Sequence, residues 1–478
     1  MRQNLLTSGL VIPGKGPVII LESWQARGLH ETALLFLSLV LLLFSTIDPG
    51  PFGLVIRVCW LGCFVALTFV NIGAALAAYI SSLAIYSPLR VEGWSSLMQR
   101  PDNYAVVPFF IAVLFLALKR QQTIPRFLPY VLGFLIYCIL NTALLTSDGF
   151  PALFRVLVVP LAACVLLAMV NFRERERNAF FLGMALLGGY MGFVSVLEQI
   201  HATSWMLPPW IGDQSILPAE LFGDNEGRSG GTLMVPALHG LLLSLIFVLA
   251  LPLMRRGRAW MVIISLLLCA AGDFFTLERG VWLGLALALF WFPGWSGTLQ
   301  QANRRRVVIA FLTFVFLIGA AAFAGDRLKD SDTILFRFAL WGAGLRLFVA
   351  HPLTGIGIFN FPTAMAGAEQ GLGSRLLSYR TVTEESASHN TILTILVELG
   401  LAGFLLCGAT CFKIIQSAMD RASRLWGTSG RSWVIAFVIV FLVNAQFISA
   451  FEGTTSTAFF GLLGMMAGAQ VDSEVFVA

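Results

Sequence analysis

Long apolar runs recur along this chain, with short basic clusters between them. A run of about 20 apolar residues crosses roughly 30 Å of hydrocarbon as a helix. Inside lipid the backbone must satisfy its own hydrogen bonds, which restricts a spanning chain to helices or closed barrels. Apolar runs fall at 33–47, 52–69, 72–87, 104–118, 127–146, 151–170, 179–199, 232–253, 259–276, 280–295, 307–324, 389–412, 433–451 and 456–470. They predict an all-α polytopic membrane protein of about 12–14 transmembrane helices, with the lipid bilayer as its surroundings. Composition agrees: 58% of the 478 residues are hydrophobic and 12% charged, against about 25% charged in soluble domains. The pI near 8.9 does not signal nucleic acid, because the basic residues sit in short groups between apolar runs, where they set topology.

The clusters are Lys119/Arg120/Arg126, Arg173/Arg175/Arg177, Arg255/Arg256/Arg258, Arg304/Arg305/Arg306 and Lys413/Arg421/Arg424/Arg431. The apolar runs place all five on one side, which the positive-inside rule makes cytoplasmic. The expected organisation is a cytoplasmic tail at 1–30 and a bundle at 31–324 with an outward loop at 200–231. A long outward loop at 325–388 follows, then C-terminal helices at 389–470 and a cytoplasmic tail at 471–478. No small-residue cleavage motif marks a signal peptide. The seven cysteines all lie in apolar runs. They imply no disulfide framework, and no His or carboxylate stands beside the i,i+4 pairs Cys59/Cys63 and Cys407/Cys411 to complete a metal site. The 200–231 loop carries Trp205, Pro208, Pro209 and Trp210, as an interfacial belt does.

Polar chemistry concentrates between Arg337 and Gly403. The segment 332–350 mixes apolar and basic positions at helical spacing and reads as an amphipathic helix on the outer interface. Arg337 and Trp341 share its face, and His351-Pro352 stops it. Gly355 and Gly357 allow a tight turn beside the membrane. Arg337 is either an ordinary interfacial cation or a forked donor to phosphate oxygens. His389 opens an apolar helix. It is either a plain N-terminal residue or a general base able to take a hydroxyl proton near neutral pH. Asn390 or Ser388 can cap that helix, whose free amides favour an anion. Glu398 lies further inside, too far along to orient His389 without a bend. Arg279, at the tip of a helical hairpin, pairs structurally with Glu278 or Asp273, snorkels, or faces an aqueous cavity. Arg228 sits in a glycine-rich segment, Gly227-Arg228-Ser-Gly-Gly231-Thr232, where backbone can approach a ligand. For Arg57, Arg155, His239 and Glu452, helix ends and inter-helix pairs are a sufficient account.

Over about 225–410 these segments resemble the O-antigen ligase-like membrane protein superfamily, which includes O-antigen ligases and polymerases of O-antigens, capsules and exopolysaccharides. An Arg-Gly-Thr segment leading a span is matched at Arg228 to Pro236. A Ser-Arg-Gly hairpin is matched at Glu278-Arg279-Gly280, with Glu in place of Ser. The outward loop is matched at Arg337/Trp341, Pro352/Gly355/Gly357 and His389/Asn390/Glu398/Gly400/Gly403. The resemblance implies a metal-independent glycosyltransferase without cofactor and with a GT-C-like fold, in a bacterial inner membrane with its site facing the periplasm. Its donor would be an undecaprenyl-diphosphate-linked glycan, with other polysaccharide assembly proteins as partners. Arg279 and Arg337 would bind the diphosphate, and His389 would deprotonate the acceptor. Arg228, Trp341, Asn390, Glu398, Gly355 and Gly357 would line the substrate. Glu278 would partly neutralise Arg279. Polymerisation is the favoured activity, because nearly every surface polysaccharide made on this carrier needs a polymerase. Ligation to lipid A–core, non-enzymatic transport of lipid-linked sugars and a membrane scaffold are the alternatives.

Overall fold

A computed structural model describes residues 17–46, 51–86, 101–120, 124–146, 149–200, 202, 229–233, 235–251, 253, 259–291, 331–368, 389–448 and 453–468. Its helices are α1 (Pro17–Phe44), α2 (Pro51–Val70), α3 (Ile72–Tyr86), α4 (Pro101–Lys119) and α5 (Leu128–Leu145). A short α6 (Phe150–Leu153) passes through a π turn, Phe154–Val158, into α7 (Val159–Ala168). Then come α8 (Glu174–Gln199), α9 (Pro236–Ala250), α10 (Ala259–Phe275) and α11 (Arg279–Trp291). The last are α12 (Ser331–Ala350), α13 (Phe361–Ala368), α14 (Thr391–Trp426), α15 (Thr428–Asn444) and α16 (Gly453–Ala467). Each apolar run read from the sequence coincides with a helix, except 307–324, which lies outside the described residues. Among the described residues, four helices, α2, α5, α8 and α14, are long and apolar enough to cross a membrane by length and composition. The other apolar helices are shorter. The protein is an all-α, multi-pass membrane protein. The helix α1 begins at Pro17, well ahead of the apolar run that starts at 33.

The bundle is built around α8, which packs against α10, α3 and α9. Between membrane helices, burial drives little association, so close backbone approach matters more. Gly192 supplies it: a Cβ there would overlap the Leu268 carbonyl of α10. A polar seam runs through the same interface. Ser195 Oγ lies 2.8 Å from His239 Nε2, and Ser244 donates to Asp273 Oδ2 at 2.9 Å. Polar groups at this depth pair with one another because lipid offers no partner. The His239 pairing is thus the bland one expected for it.

One end of the bundle gathers basic clusters. Arg120 grips Glu176 with two hydrogen bonds, 2.7 and 3.0 Å, and donates to the Asn171 carbonyl at 3.0 Å. Arg175 pairs with Glu31 at 2.7 Å. Phe172 N donates to Gly468 O, and the Trp433 indole donates to Val248 O at 2.8 Å. The clusters 119–126, 173–177 and 413–431 therefore share an end, with the C-termini of α9 and α16, as the same-side reading requires. The clusters at 255–258 and 304–306 lie outside the described residues.

Candidate functional site

At the other end α14 is broken. Gly400 adopts φ 65 and ψ −173 inside the helix, a conformation open essentially to glycine alone. The break releases backbone groups that a continuous helix would pair, and each needs a partner. The segment after α12 supplies four of them. Ile356 N donates to Val397 O at 3.0 Å, and Gly357 N to Glu398 O at 2.9 Å. Leu401 N donates to Pro352 O at 2.8 Å, and Ala402 N to Leu353 O at 3.3 Å. The phenol of Tyr137 on α5 donates to Leu399 O at 2.7 Å. Gly355, at φ +71, faces the break, and a Cβ on either Gly355 or Gly400 would strike the other strand's backbone. Asn141, one turn along α5, donates to Thr354 O at 2.8 Å and accepts from Ile358 N at 3.2 Å. The Pro-x2-Gly-x-Gly and Glu-x-Gly elements are two halves of one backbone joint.

This joint fixes α12 against α14. Leu340 and Ala343 pack with Phe361 and Met365 of α13 and with Leu393 and Val397 of α14. From the joint, α12 runs back over about 20 Å to Arg337 and α14 over about 16 Å to His389, at 1.5 Å per residue. Both residues thus reach a similar height at this end.

Arg279 arrives from α11. A Cβ on Gly280 would press on Phe447, and one on Gly284 would meet Asn444 Nδ2. The same turn, 444–448, anchors the start of α14: Thr391 N donates to Ala445 O at 2.8 Å, and Thr391 Oγ1 to Ile448 O at 2.7 Å. One turn of chain therefore holds the first residues of both α11 and α14. Arg279 is close enough to Arg337 to act on it: burial first, and then the Arg279 charge, push the Arg337 guanidinium below its ordinary value. Asp273 is not the partner of Arg279. It is 1% exposed and turned toward Ser244 of α9.

Backbone strain collects here too. Leu277, Phe359 and His389 have positive φ, 52, 61 and 49, and among the described non-glycine residues only Asn171 shares this. Such residues cost about 1–3 kcal/mol each and persist where their surroundings over-determine them, often at functional sites. Asn390 caps α14, accepting from Leu393 N at 3.0 Å, which leaves exposed His389 just outside the helix. Trp341 stands edge-on to Phe338 with centroids 5.4 Å apart.

The remaining expected site residues divide. The Glu398 carboxylate accepts from Phe361 N at 3.1 Å, so it organises the joint from within α14. The visible work of Gly355 and Gly357 is the backbone approach itself. Arg228 lies outside the described residues. The next residue, Ser229, donates from N to Phe275 O at 2.9 Å and from Oγ to Glu198 at 2.7 Å, so that segment reaches the end of α10. Sequence reasoning missed Tyr137 and Asn141, although polar side chains at i and i+4 in an apolar run were a usable signal.

Two arginines, two helix N-termini (α11 and α14) and a histidine thus meet at one end of the bundle. Helix N-termini and guanidinium groups both attract anions. An anion between Arg279 and Arg337 would relieve their repulsion. Residues 264–408, which include all the expected site residues except Arg228, match the family model described as O-antigen ligase. No curated protein matches the chain.

Proposed function

We propose, from the match of residues 264–408 to the O-antigen ligase family model, that the chain is a membrane glycosyltransferase of surface polysaccharide assembly. Its donor is a glycan on undecaprenyl diphosphate, used at the outer face of a bacterial inner membrane. The observation that carries this reading is the packing that brings Arg279, Arg337 and His389 to one end of the bundle: the 444–448 turn holds the starts of both α11 and α14, and Leu340 of α12 packs on Leu393 of α14. An acceptor hydroxyl oxygen attacks the anomeric carbon. The new glycosidic bond forms as the anomeric carbon–phosphate oxygen bond breaks, and the electron pair leaves with the diphosphate. Fixed cations beside that leaving group stabilise its growing charge. His389 accepts the hydroxyl proton. No step requires a metal, and neither a cofactor nor a nucleotide fold is invoked.

The acceptor decides between two activities. Polymerisation uses a second lipid-linked repeat. Ligation uses lipid A–core, and the match to the O-antigen ligase family supports it as the second reading. A test compares wild type, Arg279→Ala, Arg337→Ala and His389→Ala in a deletion strain at matched membrane levels, with glycan length read on gels. Loss of long glycan with accumulation of single lipid-linked repeats supports polymerisation. Full-length glycan left on its carrier supports ligation. Wild-type behaviour of all three variants overturns the catalytic assignment and favours a transporter or scaffold.

A further inference from the structure

A cavity of about 530 Å³ opens at the opposite end of α14 from His389. It lies between the start of α5, the ends of α7 and α16, and the last turns of α14. Its wall carries Arg126, Lys413, Arg421 and Arg424 against one carboxylate, Asp420, a surplus of three positive charges. Elsewhere at this end Arg120 and Arg175 are matched with Glu176 and Glu31. Lys413 is held at the rim, its Nζ 5.8 Å from the Tyr130 ring centroid and 3.1 Å from Gln416 Oε1. Phe127, buried and also in the lining, gives the cavity an apolar wall.

The cavity lies beyond the Gly400 break from His389, at the end of the bundle where the 119–126, 173–177 and 413–431 basic clusters gather, as basic residues do at a membrane surface. The apolar surface beside it continues into the bilayer: Tyr130 is 41% exposed, Phe412 59% and Ile136 56%. A guanidinium cluster flanked by lipid-facing aromatic and aliphatic side chains suits a phosphate that carries acyl chains better than a soluble one. We propose that this cavity binds the phosphodiester head group of an anionic phospholipid in the leaflet opposite the candidate active site. This site depends on neither the donor nor the acceptor proposed above.

The test measures lipid retention by the purified full-length protein in micelles doped with phosphatidylglycerol or phosphatidylcholine, using native mass spectrometry. Wild type is expected to prefer phosphatidylglycerol by about tenfold or more. An Arg126→Gln/Arg421→Gln/Arg424→Gln variant is expected to lose the preference, and Lys119→Gln, outside the cavity, to keep it. Should the triple variant fail to fold, the exposed single substitution Arg424→Gln is expected to reduce the preference measurably. Equal retention of the two lipids, or an unchanged preference in the cavity variants, overturns the proposal. Displacement of phosphatidylglycerol by inorganic phosphate at equal concentration also overturns it, in favour of a soluble anion.

Discussion

The two ends of the bundle use arginine in opposite ways. At the basic end, Arg120 and Arg175 are matched with carboxylates at 2.7 Å, and the contacts tie α1, α4 and α8 together. At the candidate-site end, the Arg279 charge adds to burial in pushing the Arg337 guanidinium below its ordinary value, a helix is broken at Gly400, and three non-glycine residues hold positive φ. On the function proposed above, the candidate-site end would receive an anionic substrate, while the ion pairs of Arg120 and Arg175 hold the structure. The bound lipid proposed for the cavity would place a second anion at the basic end, on the surplus of positive charge that lines it.

The strongest break in the comparison is expected from the site itself. His389→Ala, at an exposed position, is expected to lower transfer about 100-fold or more with an unchanged melting temperature, both read on purified protein. A comparable loss of stability would make His389 structural. Next comes the joint. Gly400→Val places a side chain against the Leu353 backbone in a glycine-only conformation and is expected to cost about 2–5 kcal/mol, combining strain and overpacking. Thermal unfolding reads it, and wild-type stability would mean the break is not needed. Asn141→Ala removes two hydrogen bonds to the loop and is expected to cost about 1–3 kcal/mol, with reduced activity because the loop that sets α12 loosens. Retention of full activity would uncouple the loop from the site. The smallest effect belongs to the basic end: Arg120→Gln breaks a partly exposed pair worth about 1 kcal/mol and should leave glycan length unaltered. Shortened glycan there would erase the distinction between the ends.

Helix positions were legible because hydrophobicity is local: the runs at 52–69, 127–146 and 259–276 reappear as α2, α5 and α10 almost residue for residue. The helix expected over 332–350 was legible too, since its helical spacing and the Pro352 stop are local signals, and α12 ends at Ala350. The backbone joint was not. Nothing local to Gly355 says that it rests on Glu398 and Gly400, nor that Tyr137 and Asn141 fasten the assembly from another helix. Glu398 looked like a polar residue awaiting a partner within the bundle, and its partner is the backbone of α13.

The sequence by itself determined that the chain is helical, membrane-bound and basic between its spans, because lipid fixes the length and polarity of whatever crosses it. It also determined which residues are chemically able to meet an anion or take a proton. Only the tertiary structure decided that Arg279 and Arg337 come to the same end of the bundle and that the 444–448 turn anchors both α11, which begins at Arg279, and α14, which follows His389. Juxtaposition across long sequence distances depends on packing and on which backbone groups a helix break leaves to be satisfied.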